Sequence, residues 1–288
     1  MKTIIKNFMK GNLQCIGWML LYSGLEITAL IGLIAFYLKT DLGFCQRFLD
    51  LFQFTLDQSL SDVEYSLKMT EATMQLVDTI TLPVIAISGI ILSLVLAIKC
   101  KKTKTKVIKK INMTEVTKYM LIGILLDLVV SFVIGMIPEE LMETYNSSVS
   151  IVTTGNIVLT FIVAGVIAPI SEEITFRNFV YDSAKKAGVK YAILFSALSF
   201  GIAHGNIIQG AYAFLFGLIF AMEDTKKENL LPSIIMHITI NSSSVLVGNY
   251  CSNEMDGLII ATCFIAAAYI IANRKTINKY SDIIFAGA

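Results

Sequence analysis

Charge is the first scarcity. Acidic and basic residues make up 16% of the 288 positions, where a soluble domain carries about 25%. With 55% of the chain hydrophobic, a soluble globular class is excluded and a polytopic membrane class remains. The net charge of +1 argues against a nucleic-acid partner. The five cysteines form no CxxC pair or zinc-ligand spacing, which removes the common structural zinc motifs. Cys45 and Cys251 both fall on the expected outer side, where a disulfide is permitted; two free thiols are the alternative. There is no GxSxG, so a serine elbow is absent, and no HExxH. No internal repeat is evident, which weighs against a transporter built from inverted repeats.

What is present is a series of apolar runs. A crossing takes about 20 residues, and eight segments qualify: 15–37, 80–98, 118–137, 151–171, 190–207, 208–223, 230–248 and 257–273. The fifth and sixth are nearly continuous, so a tight turn is expected near Gly205 and Asn206. The first is expected to be an uncleaved anchor, being too long for a signal peptide and lacking a small-residue cleavage site. Lysines and arginines set the orientation. They cluster at Lys2, Lys6 and Lys10, through Lys99–Lys110, at Lys185, Lys186 and Lys190, at Lys226 and Lys227, and at Arg274, Lys275 and Lys279. The alternate connections are acidic, with Asp50, Asp57, Asp62 and Glu64, then Glu139, Glu140 and Glu143, then Glu254 and Asp256. The expected fold is therefore an all-α polytopic membrane bundle of about eight transmembrane helices with both termini cytoplasmic.

The chain divides into three parts. Residues 1–114 form a variable front end with two spans and an outer segment at 41–79. That segment has helical apolar spacing and either lies on the membrane face or packs against the bundle. The lysines at 99–110 are expected to anchor topology rather than bind a ligand. Residues 115–275 form a compact core that carries the chemistry, and 276–288 a cytoplasmic tail.

Histidine is scarcer still. The only two, His204 and His237, both lie in apolar segments, SFGIAHG and HITIN. Each has a partner four residues away on its own helix face, Phe200 before His204 and Asn241 after His237. A third polar stretch, SEEITFR at 171–177, follows a run suited to lipid, where each charge costs roughly 2.5–3.5 kcal/mol at a helix centre. Glu173 and Arg177 at i,i+4 can pair along one face. Glu172 is turned about 100° away and is left free. Two carboxylates in unlike environments are the pattern of an acid/base site. If the helix runs on to about 184, Glu172 lies about 18 Å from its cytoplasmic end. His237 and His204 come out at about 10 and 21 Å by the same rise, so the three can share a layer open to the cytoplasm. Pro169 is placed to kink the fourth span there. Imidazoles that hold a water directly or through a metal, a carboxylate that deprotonates it and an amide donor for an oxyanion fit hydrolysis of an amide.

The three motifs in order, EExxxR (Glu172, Glu173, Arg177), FxxxH (Phe200, His204) and HxxxN (His237, Asn241), resemble the CPBP family of CAAX proteases and bacteriocin-processing enzymes, also called Abi. The resemblance spans about residues 115–275. It implies an intramembrane endopeptidase acting on a membrane-associated peptide or protein, with Glu172, His204, His237 and Asn241 catalytic. Glu173, Arg177 and Phe200 would be supporting residues. If a divalent metal is used, zinc by ligand type, the implied ligands are His204, His237 and Glu173. The small size resembles bacterial members, which implies a plasma-membrane location; a bacteriocin self-immunity or scaffold protein without proteolysis is the alternative. Asn178 stands where the family commonly has glycine. Glu26 and Asp127, intramembrane acids outside the motifs, are expected to make interhelical hydrogen bonds.

Overall fold

The computed structural model describes residues 2–41, 77–103, 107–142 and 156–250, with a few isolated positions between them. The eighth expected span at 257–273, the tail at 276–288, nearly all of the 41–79 segment, and Cys45 and Cys251 lie outside the described residues. Among those described, the architecture is entirely helical with no strand. Seven principal helices succeed one another. They are α1 (Lys2–Thr40), α2 (Val77–Lys102), α3 (Met113–Ile134), α4 (Ile157–Ala187), α5 (Val189–Ala203), α6 (Ile207–Lys227) and α7 (Leu231–Tyr250). Six are long and apolar enough to cross a membrane. The exception is α5, the fifth expected span, whose fifteen residues reach about 22 Å against a hydrocarbon core of about 30 Å.

Side chains and glycines cut the apolar sequence into these helices. A spanning segment must satisfy its own backbone groups, so each run folds as helix until a residue offers another solution. The Asn112 side chain accepts from the Glu115 amide and Glu115 reaches back, closing a capping box at α3. Asn206 caps α6 through the Gln209 amide, and Asn156 caps α4 through Val158 and Leu159. Gly205, at φ +74°, makes the α5–α6 turn, where the sequence predicts it.

Three close approaches fix the packing around the site. In the α5–α6 hairpin a Cβ on Gly201 would stand 2.6 Å from the Gly210 carbonyl oxygen. On α3, a Cβ on Gly123 would stand 2.8 Å from the Met236 carbonyl of α7. Along α4 runs α1, antiparallel. Gly11 meets the Ser183 carbonyl, the Cys15 thiol donates to the Val180 carbonyl at 3.3 Å, and Trp18 stacks on Phe179 with centroids 4.2 Å apart. Tyr22 then lies against Phe176 at 6.0 Å.

The lysine-bearing helix ends gather at one end of the bundle. Lys227 of α6 pairs with Glu115 of α3 at 2.6 Å, and Lys118 of α3 with Glu223 of α6 at 3.2 Å. Lys99 does more than anchor topology. It donates to Asn178 at 2.9 Å and pairs with Asp182 at 3.1 Å, tying α2 to α4. Asn178 thus has a use of its own where glycine was the expected residue.

The fourth span is not uniformly α-helical. Two π-helical stretches, Phe161–Ile167 and Ile174–Val180, flank a single α-helical stretch, Ala168–Glu173. Pro169 has no N–H for the carbonyl four residues earlier. The turn before it is π-helical and therefore wide, and α7 caps its carbonyls. Asn241 donates to the Ala164 oxygen at 3.1 Å and Ser242 to the Gly165 oxygen at 3.2 Å.

Gly201→Ala should therefore force α5 and α6 apart and lower stability by about 1–3 kcal/mol. Ile202→Ala, next to it but 66% exposed, should change it far less; thermal unfolding in detergent compares the two.

Candidate active site

The site is built outward from Glu173, which is fully buried. One oxygen accepts a hydrogen bond from Nδ1 of His237 at 2.9 Å. The other lies 3.2 Å from Nε of Arg177, one turn along α4. That second contact is one of charge, because the two groups are not aligned as donor and acceptor. The guanidinium finds its other partners in aromatic faces, 4.3 Å from the Phe200 centroid and 5.6 Å from that of Phe220. Gly217 makes room for it; a Cβ there would come within 3.3 Å of an Arg177 nitrogen and 3.0 Å of the Ala197 backbone.

His237 is held on all sides. With Nδ1 committed to Glu173, its Nε2 is left bare, a tautomer assigned from the hydrogen-bond network. The rings of Phe200 and Phe220 each lie 5.5 Å from it. Glu172 approaches Nε2 to 3.7 Å. That is too long for a direct hydrogen bond and is the kind of gap one water bridges. The expected division of the glutamate pair is thus present in the geometry: Glu173 is locked, and Glu172 remains partly open.

His204 occupies the tip of the α5–α6 hairpin as the C-cap of α5. Its Nδ1 is bonded to the Phe200 carbonyl at 2.8 Å, which leaves its Nε2 uncommitted. Phe200 joins the two imidazoles, with centroids 4.7 Å from His204 and 5.5 Å from His237. Asn241 lies one turn beyond His237, and its amide is turned to the Ala164 carbonyl of α4.

The bundle therefore gathers Glu172, Glu173, Arg177, Phe200 and His237 directly, with His204 joined through Phe200 and Asn241 set back against α4. Among the described residues no three His, Cys, Asp or Glu side chains are gathered as a metal-holding group. Glu173, an implied ligand, has both oxygens occupied by His237 and Arg177. Phe220, Gly217 and Asp224 escape sequence reasoning. Asp224 is buried on α6, where one oxygen caps α7 by accepting from the Ser233 amide at 2.9 Å. Its other oxygen and the outer Arg177 nitrogens have no hydrogen-bond partner among the described residues. Both residues line a cavity of about 330 Å³ at the lysine-rich end of the bundle, with Tyr181, Thr225 and Asn229. Of the two acids outside the motifs, Asp127 accepts from Ser243 and Ser244 of α7 at 2.5 and 3.0 Å. Glu26 lies on α1, half-buried.

Fold and site together define a multi-pass helical membrane protein with a buried Glu–Arg–His centre. Residues 154–243 match the family model for type II CAAX prenyl endopeptidases of the Rce1-like kind. No curated protein and no solved structure matches the chain. The matched segment contains every motif residue from Glu172 to Asn241, and the resemblance expected from them is shown across that segment.

Arg177→Ala should cost about 3–5 kcal/mol of stability, since it leaves the Glu173 charge buried without its partner. The double change Glu173→Gln with Arg177→Met should cost less than the two single changes summed, because the charges then vanish together. Equilibrium unfolding in mixed micelles measures the coupling.

Proposed function

We propose that the protein is an intramembrane endopeptidase that hydrolyses a peptide bond of a membrane-associated protein or peptide. The observation that carries this reading is the Glu172–His237–Glu173 alignment, one free carboxylate and one bare imidazole nitrogen 3.7 Å apart, with the imidazole fixed from behind. The match to a family of prenyl endopeptidases supports the same reaction class.

In this reading a water bridges Glu172 and His237 Nε2. Glu172 takes a proton from it as the oxygen adds to the scissile carbonyl carbon. The carbonyl π pair moves to oxygen and forms an oxyanion. Asn241 carries a second amide hydrogen that can donate to it, and its bond to Ala164 fixes where that amide sits. Collapse of the intermediate restores the carbonyl and breaks the C–N bond, and the proton held by Glu172 passes to the leaving nitrogen. Glu173 acts through His237 much as a buried carboxylate orients a catalytic imidazole. His204, with Nε2 free, is a second acceptor for the water or a substrate N–H. The cavity at the lysine-rich end begins one turn from Glu173 and supplies a polar approach from the side that the lysines assign to the cytoplasm.

Each step above is carried by the chain's own side chains. The two free imidazole Nε2 atoms are the donors a zinc ion would take, and it would act as a Lewis acid on the water or carbonyl.

Purified wild-type protein should cleave members of a panel of lipid-anchored peptides. Glu172→Ala should lose at least about a hundredfold in rate while keeping the wild-type unfolding temperature; equal cleavage by both would sink the reading. Metal analysis should find less than one equivalent of zinc in active protein. A full equivalent that disappears in His237→Ala would replace the metal-free scheme.

A further inference from the structure

The stretch NSSS at 241–244 of α7 sets four consecutive polar side chains in an apolar helix, and each of them donates to a neighbouring helix. Asn241 and Ser242 reach the Ala164 and Gly165 carbonyls of α4 at 3.1 and 3.2 Å. Ser243 and Ser244 reach the two oxygens of one α3 carboxylate, Asp127, at 2.5 and 3.0 Å. Successive residues are about 100° apart around a helix, so α7 is held from two directions within little more than one turn. One turn before Asp127, Gly123 lets α3 touch the α7 backbone; a Cβ there would also stand 3.0 Å from Cβ of Thr239. α3 therefore grips α7 at two heights, and the carboxylate is the polar grip.

Apolar packing alone would hold α7 against α3 but leave it free to roll. Two hydroxyls from adjacent positions, each on its own oxygen of one carboxylate, resist a roll in either direction. A side-chain tip lies about 5 Å from the helix axis, so a roll of about 10° carries it about 1 Å. A displacement of that size at a reacting centre can cost about a hundredfold in rate. The group most exposed to such a roll is Asn241, about 3 Å along the axis from Ser243, whose amide is aimed by its bond to Ala164. His237 lies about 9 Å from Ser243 along the axis and has its own fixings in Glu173, Phe200 and Phe220. A carboxylate in a spanning helix is costly and by default marks a functional position; a leucine would pack α3 against α7 without that cost.

We propose that Asp127 is a positioning residue: by accepting from Ser243 and Ser244 it sets the rotation of α7, and with it the place of the Asn241 amide that stabilises the oxyanion. The assignment rests on the proteolytic reading above and extends it to α3, which lies outside the segment that matches the family.

The test follows the Asn241 side-chain amide by NMR of asparagine-labelled protein in lipid nanodiscs, its signal assigned by its loss in Asn241→Ala. In Asp127→Leu its protons should exchange with solvent about tenfold faster than in wild type. Asp127→Asn, whose amide can accept from one serine and donate to the other, should stay within about threefold of the wild-type rate. Ser243→Ala with Ser244→Ala removes the same two bonds from the α7 side and should match Asp127→Leu. On a lipid-anchored peptide that wild type cuts, Asp127→Leu should lose about thirtyfold in kcat with KM unchanged. That loss should shrink to about twofold when Asn241 is already alanine, because the two residues act through one amide. Unchanged exchange in a folded Asp127→Leu or double serine variant overturns the assignment, as does a kcat loss of equal size with and without Asn241. Altered exchange in a protein whose wild type cuts none of the peptides would instead overturn the proteolytic reading, so the two failures are separable.

Discussion

The site depends on a buried charge pair that lacks the hydrogen-bond geometry such pairs usually have. Glu173 and Arg177 sit 3.2 Å apart with almost no exposure, yet the guanidinium spends its faces on Phe200 and Phe220. An ion pair at this depth is costly to assemble, and it earns stability only if each charge has further partners. Here the aromatic faces serve the cation and His237 serves the anion. Four helices converge because of that requirement: α4 brings the pair, α5 brings Phe200, α6 brings Phe220, and α7 brings His237. The arrangement that shields a charge is thus the one that orients an imidazole.

A second constraint is the backbone of α4. Pro169 leaves carbonyls short of partners, and a membrane interior has no bulk water to serve them. Asn241 and Ser242 do so from α7. The HxxxN spacing consequently works twice on one helix face, placing an imidazole at the glutamate pair and an amide on the carbonyls one turn away. Register between α4 and α7 is fixed at both points, and this holds Glu172 within reach of His237 rather than a turn above or below it.

Much of this was legible in the chain itself. The apolar runs marked the helices, Gly205 marked the hairpin turn, and i,i+4 spacing paired Glu173 with Arg177 because both partners lie on one helix. That Glu173, and not Glu172, contacts Arg177 followed from the same local geometry. What could not be read was every contact whose partners are far apart in sequence. Local spacing says nothing of Glu173 meeting His237 sixty-four positions later, of Asn241 facing a carbonyl of α4, or of Phe220 and Gly217 shaping the pocket of Arg177. The partners of Lys99 were hidden for the same reason, because Asn178 and Asp182 come from another helix. The length of α5 was misjudged because apolar composition continued through the turn, and only the positive φ of Gly205 and the Asn206 cap end the helix at fifteen residues.

That shortness bears on how the protein is made. The α5–α6 hairpin has lysines at both of its ends and its own glycine-to-glycine contact between Gly201 and Gly210, all within one contiguous stretch of chain. It can close as a unit before the rest of the bundle forms, entering from one side without carrying a polar loop across. His204 rides at its apex. The second imidazole therefore belongs to an element that local contacts can build, whereas Glu173 meets His237 only once α4 and α7 have docked.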